Sequence, residues 1–152
     1  GTLADAMKDA DVFVGVSAPN IVTREMVKSM NKKAIVLAMA NPVPEIMPDE
    51  ALKGGAAIVG TGRSDFANQV NNVLAFPGIF RGALDAEAVR ITPEMKHAAA
   101  QTLARLVVPS KERILPSPLN KKVAQVIAEA VKKKAIEQGV VREPNGHFKT
   151  KT

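Results

Sequence analysis

Three short, continuous apolar runs constrain this chain most: Val12-Phe13-Val14-Gly15-Val16, Ala34-Ile35-Val36-Leu37-Ala38-Met39-Ala40 and Ala56-Ala57-Ile58-Val59. Each is rich in β-branched residues, and each is bounded by turn formers. Runs of this kind, apolar throughout rather than at alternate positions, suit strands buried on both faces, as in a parallel sheet. Helix signals stand between them. Leu3, Ala6, Met7 and Ala10 share one side of a helix expected over Thr2–Ala10. Thr23 is an N-cap for a helix over Arg24–Met30, and Pro48 opens a short helix over Pro48–Leu52 that Gly54-Gly55 stops. Strand, helix, strand, helix, strand is the pattern of an α/β fold with a parallel sheet.

The character changes after about residue 66, and the rest reads as mostly helical. Helical pieces are expected over Asn72–Phe76 and Ile79–Asp85, on either side of Pro77-Gly78. Thr92 caps a helix with Pro93 in its first turn, running to about Val107 before Pro109. Lys111–Asn120 is irregular, a last helix runs from about Lys121 to Gln138, and Glu143–Thr152 reads as a polar, disordered tail. The expected organisation is therefore one domain portion over 1–142 and a tail over 143–152. At 152 residues the chain can build one core. With aromatics at 3% and neither Trp nor Tyr, that core must come from Ala, Val, Ile, Leu and Met. The same shortage argues against nucleic-acid binding by base stacking.

The absence of Cys excludes disulfides and thiolate metal sites, and it fits a reducing, cytoplasmic setting. No apolar run reaches the roughly 20 residues that a membrane-spanning helix needs. The formal charge of +6 is concentrated late, at Lys121-Lys122, Lys132-Lys133-Lys134, Lys149 and Lys151. This reads as a solvated helix face and tail, the alternative being a basic module for nucleic acid or an acidic partner.

In open parallel sheets, ligands bind beyond the carboxyl ends of the strands. Three loops occupy that place: Gly15–Asn20, Asn41–Glu45 and Thr61–Asn72. Gly15 and Ser17 leave room for a ligand at the backbone, and Asn41 offers both a donor and an acceptor. The third loop holds Arg63, Ser64, Asp65 and four side-chain amides, Asn68, Gln69, Asn71 and Asn72. Adjacent amides at Asn71-Asn72 can cap a helix start and also reach a carboxylate or amide ligand. Arg63 and Asp65 read as a loop brace, and Arg81 as an ion-pair or packing residue. Glu45 stays open between ligand contact and loop carboxylate. His97, alone on an Ala-rich helix, and His147, in the tail, have no metal-ligand spacing around them, so no metal site is expected in this chain. There is no nucleophile–base pair, no P-loop and no G-x-G-x-x-G turn.

These residues resemble the malic enzymes of the shorter bacterial and archaeal type. The resemblance rests on Ala-Asp-Val-Phe-Val-Gly-Val-Ser at 10–17, Ala-Asn-Pro-Val-Pro-Glu at 40–45 and Gly62–Asp85. Ile-Leu-Pro-Ser-Pro at 114–118 also fits, and the similarity extends to about Arg142. It implies the C-terminal half of a Rossmann-like parallel sheet followed by a helical segment, part of an NAD(P)-binding domain. It implies oxidation of malate by NAD or NADP, then decarboxylation to pyruvate with a divalent metal, Mg or Mn, as Lewis acid. By motif, substrate contacts fall on Asn41, Asn71 and Asn72. Cofactor contacts fall on Gly15, Val16, Ser17, Asn41 and Asn71. Catalytic residues and metal ligands are expected upstream of Gly1, so this chain would hold no catalytic residue and lack activity alone. A homodimer with the remaining polypeptide is also implied, with neither nucleic acid nor membrane as partner. The chain departs from the family pattern at Ala67, commonly Pro, which loosens the loop without removing a functional group. Alternatives are another nicotinamide-dependent dehydrogenase or a non-catalytic carboxylate-binding relative.

Overall fold

The first three strands form where the apolar runs stand, as β1 (Val12–Gly15), β2 (Ile35–Ala38) and β3 (Ile58–Thr61). The structure is a computed structural model that describes residues 1–142; the tail expected over Glu143–Thr152, with His147, Lys149 and Lys151, lies outside them. The strands pair in parallel in the order β1-β2-β3, with Gly15 opposite Ala38 and Ala38 opposite Thr61. Three strand ends in register place the three following loops along one sheet edge, the arrangement that α/β sheets use for ligands.

The helices α1 (Leu3–Met7) and α2 (Arg24–Lys28) are shorter than their sequence patterns, and α3 (Pro48–Lys53) runs one residue past its expected end. Thr2 and Asp5 form a reciprocal capping box at α1, and the Thr23 hydroxyl accepts the Met26 N–H at 3.3 Å. The α1 helix stops short of Ala10 because Asp9 takes a left-handed φ of 58°. Side chains of α1, α2, α3 and β2 close on Met7, Val27, Met30, Val36, Ile46, Ala51 and Val59. Burying one such Val, Ile or Met contributes roughly 1.5–3 kcal/mol. The expectation that all three runs are buried on both faces fails at β1. Val12 and Val14 lie on one face of β1 and are 49% and 57% exposed, whereas β3, the other outer strand, is largely buried.

The chain forms two compact units, where its length suggested one core. The first is Gly1–Val70 with Pro109–Ile114, and the second is Asn71–Val108 with the described residues from Leu115 onward. The second has its own core, built from Leu74, Met95, Ala99, Val123, Ile127, Val131 and Ala135. It contains a 3₁₀ turn (Asn72–Leu74), α4 (Phe76–Asp85), α5 (Pro93–Ala104) and α6 (Lys122–Glu137). Pro77-Gly78 does not interrupt the helix, as its sequence suggested. Pro77 sits in the first turn of α4, where its missing N–H costs no hydrogen bond. Gly78 and Gly82 let α4 press onto α6: a Cβ at Gly78 would lie 2.7 Å from Ile127 Cβ, and one at Gly82 would overlap the Ala128 carbonyl oxygen. Thr92 caps α5 through the Met95 N–H at 3.2 Å and donates to Gln138 Oε1 at 2.6 Å. The α5 helix ends at Ala104 rather than near Val107, with Arg105 as its C-cap. No helix among the described residues is long and apolar enough to cross a membrane.

Candidate functional site

The sheet edge of the first unit is organised around Glu45. Its side chain is completely buried and folds back from the Asn41–Glu45 loop onto two strand ends. One carboxylate oxygen accepts the Ser17 N–H at 2.7 Å and the Ser17 hydroxyl at 3.2 Å, and the other accepts the Ala40 N–H at 3.0 Å. Burial raises the Glu45 carboxyl, but the Ala40 and Ser17 N–H groups outweigh it and hold the group below the ordinary carboxylate value. The backbone ties the same segments together: Asn20 N–H donates to Pro44 O at 3.1 Å, and Val22 N–H to Glu45 O at 3.0 Å. Glu45 is therefore a loop carboxylate, which resolves the alternative its sequence left open. It also supplies a reason for Gly15. A Cβ there would stand 2.5 Å from Glu45 Cδ and 2.8 Å from the Phe13 ring.

Against this buried brace, the groups on the outside of the edge stay available. Val16, Ser17 and Asn41 are exposed. The Asn41 amide makes no hydrogen bond among the described residues, and the Asn41–Pro42 peptide is cis. Gly15, Val16, Ser17 and Asn41 thus gather at the ends of β1 and β2, as the loop positions implied.

The loop after β3 divides its polar residues between structure and surface. Val70 N–H returns to Thr61 O at 2.7 Å. Arg63 and Asp65 form a two-point pair, Nε to Oδ1 at 2.9 Å and Nη2 to Oδ2 at 2.7 Å, and the guanidinium lies 5.3 Å from the centre of the Phe66 ring. The pair is the brace expected for it, and Arg63 holds the Asp65 carboxyl below its usual value. Asn68 is the residue that sequence reasoning passed over. It is buried, with a left-handed φ of 55° that Asn tolerates. Its amide donates to Val59 O at 2.9 Å and Lys111 O at 2.7 Å and accepts the Ile114 N–H at 2.9 Å. Two of those partners lie more than forty residues away, so the only local signal was an Asn among other Asn residues.

Asn71 and Asn72 belong to the second unit, so they are described with it. Asn71 Oδ1 accepts the Val73 N–H at 3.0 Å and caps the 3₁₀ turn, which leaves its NH₂ donors free. Asn72 is exposed, and its side chain makes no hydrogen bond among the described residues. One of the two is a cap and one is not, which divides the alternatives posed by sequence. Arg81 pairs with Asp85 at 2.8 Å, the ion pair expected of it, and His97 is exposed beside Gln101.

Asn41, Asn72 and the free half of Asn71 are neutral amides that can each donate to a carboxylate or meet a carboxamide at two points. An amide in either unit can by itself meet the amide head of a nicotinamide or a carboxylate of a small acid. Among the described residues no group of three or more His, Cys, Asp or Glu side chains could hold a metal ion.

The family described as "Malic enzyme, NAD binding domain" matches residues 2–136. A bifunctional malic/malolactic enzyme of Bacillus subtilis is 57% identical over 145 residues, which cover 93% of this chain and 35% of that protein. An NAD-dependent malic enzyme of Geobacillus stearothermophilus is 49% identical over 148 residues, covering 95% of this chain and 31% of that protein. The crystal structure of a malic enzyme from Pyrococcus horikoshii matches with a TM-score of 0.90 at 49% identity, covering 99% of this chain and 34% of that one. The chain therefore spans about a third of the length of these relatives.

Proposed function

Because this chain belongs to the malic enzyme NAD-binding domain family, we propose that it is part of an NAD(P)-dependent malic enzyme that converts malate to pyruvate and carbon dioxide. The observation that carries this reading is the sheet edge of the first unit. Three parallel strand ends stand in register there, and Ser17 and the unpartnered Asn41 amide are exposed beside a rigid buried brace. Residues 1–142 contribute part of the NAD(P)-binding domain.

The nicotinamide, when bound, supplies the acceptor for the hydride leaving C2 of malate. This chain's residues orient and do not react. Gly15, Val16 and Ser17 follow the cofactor near its nicotinamide, Asn41 and Asn71 donate to the cofactor and the substrate, and Asn72 donates to the substrate. A hydrogen bond to a charged group is worth roughly 1.5–3 kcal/mol. Holding donor and acceptor in a near-attack geometry lowers a barrier by up to about 7–11 kcal/mol in well-oriented systems. The described residues hold no group of three or more His, Cys, Asp or Glu side chains that could bind a metal ion, and the divalent metal of the proposed enzyme is read as held by residues outside this chain. Further parts of the reading are a homodimer, a cytoplasmic location in keeping with the absence of Cys, and inactivity of the 152-residue chain alone.

The test is a malate oxidation assay on the full-length gene product, with NAD or NADP and Mg or Mn, following reduced nicotinamide and pyruvate together. Stoichiometric appearance of both is expected. Reduction with other hydroxy acids in preference to malate would favour a different dehydrogenase and overturn the reading.

A further inference from the structure

The reading above places ligands against the loops after β1 and β2, and neither loop is held by ladder hydrogen bonds of its own. The first, Val16–Asn20, holds small and polar residues, and the second carries two prolines that cannot donate to a ladder. Two backbone hydrogen bonds tie them, Asn20 N–H to Pro44 O and Val22 N–H to Glu45 O, and one side chain fastens the strand ends. Glu45 spans both strand ends, taking Ser17 N–H and hydroxyl on one oxygen and Ala40 N–H on the other, from a site with no solvent exposure.

We propose that Glu45 is a positioning residue of the malate site: its buried carboxylate locks the Ser17 loop to the Ala40–Asn41 strand end and so sets the places of the Asn41 amide and the cofactor loop. The inference rests on the malic enzyme reading and deepens it. Three features support a role specific to a carboxylate. The site presents three donors, so it needs acceptors on both branches of the side chain. An amide has only one acceptor branch, and its NH₂ would face either Ser17 N–H or Ala40 N–H. An apolar side chain would leave the Ser17 N–H and the buried Ala40 N–H without this partner. Gly15 leaves open the space that the carboxylate fills, since a Cβ there would lie 2.6 Å from Glu45 Oε1. Glu45 itself is fully buried and acts on ligands only through Ser17, Ala40 and their neighbours.

The experiment uses the full-length enzyme as wild type, Glu45→Gln, Asn41→Ala and the double variant, with steady-state kinetics normalised to the folded fraction seen by circular dichroism. Glu45→Gln is expected to lower kcat at least tenfold per folded molecule. The double variant is expected to lose less than the product of the two single losses, because Asn41 is one of the groups that Glu45 places. Rate per folded molecule within twofold of wild type, or fully multiplicative losses in the double variant, would reduce Glu45 to a stability residue and overturn the inference. If Glu45→Gln does not fold, Glu45→Asp carries the same criteria, since it keeps the charge but is one methylene too short to reach both strand ends. Wild-type enzyme that binds no NAD(P) and oxidises no malate would overturn the malic enzyme reading, and this inference with it. An active wild type with an unaffected variant overturns this inference alone.

Discussion

In the full-length polypeptide, Asn71→Asp and Asn71→Ala should rank oppositely in stability and in activity. Asn71 Oδ1 takes the Val73 N–H at 3.0 Å, while its NH₂ group makes no hydrogen bond among the described residues. Alanine removes both halves. Losing the cap costs about 1 kcal/mol, and for a domain of this size a change of 1 kcal/mol moves Tm by roughly 2–4 °C. Aspartate keeps an acceptor for Val73 N–H and should hold Tm within about 1 °C of wild type by the same scale. Activity should move the other way. Removing a donor to a charged ligand costs roughly 1.5–3 kcal/mol, which is about tenfold to more than a hundredfold in kcat/KM. Aspartate also sets a negative charge where a malate carboxylate would sit, so it should be the slower variant. Thermal unfolding and malate-dependent reduction of nicotinamide on the same preparations test the crossed ranking. Activities that follow the stabilities, or wild-type turnover by Asn71→Asp, would refute the assignment of the free NH₂ to a ligand.

Asn72→Ala removes an amide whose side chain has no hydrogen-bond partner among the described residues, so it should leave Tm unchanged while lowering kcat/KM; a Tm loss without a kinetic change would assign Asn72 to structure. Gly82→Ala should destabilise by roughly 1–3 kcal/mol from overpacking, against alanine's helix advantage of about 1 kcal/mol. Its Cβ would overlap the Ala128 carbonyl oxygen on α6, and a raised denaturation midpoint would contradict that packing. Asn68→Ala strips partners from the buried Val59 carbonyl, the Lys111 carbonyl and the Ile114 N–H; a loss of about 3 kcal/mol is expected in urea unfolding. Because the Glu45 carboxyl is held below its ordinary value, its contribution to stability is complete above the unfolded-chain value near about 4.3. It disappears as pH falls through the folded value. Glu45→Gln should therefore flatten that part of the acid limb in urea midpoints measured against pH; an unchanged acid limb would count against the ionised, hydrogen-bonded carboxylate.

Much of the secondary structure was legible because its signals are local. Thr23 and Thr92 cap helices where their spacing to Met26 and Met95 says they should. Pro48 starts α3, and the three apolar runs are the three strands. The errors share one cause. Pro77-Gly78 looked like a break because Pro and Gly are read as punctuation, but Gly78 is there for the approach of Ile127, some fifty residues away in the chain. Val12 and Val14 looked buried because a continuous apolar run does not say whether both faces of a strand are covered. The division into two cores was not legible either, since the chain crosses back to the first unit at Pro109–Ile114 without a compositional mark.

Sequence alone determined which chemistry is available: amides at 41, 68, 71 and 72, a carboxylate at 45, a small-residue loop at 15–17, and no Cys for a thiolate metal site. These follow from residue type and from positions a few residues apart. Tertiary structure decided which of those groups are spent and which are free. Asn68 went to the Lys111–Ile114 segment, half of Asn71 to its own turn, and Glu45 to a strand end twenty-eight residues earlier. A hydrogen bond between distant segments depends on the register of the whole sheet and on burial that removes water as a competing partner. Neither is a property of any short stretch of the chain, and both emerge only once β1 and β2 are paired.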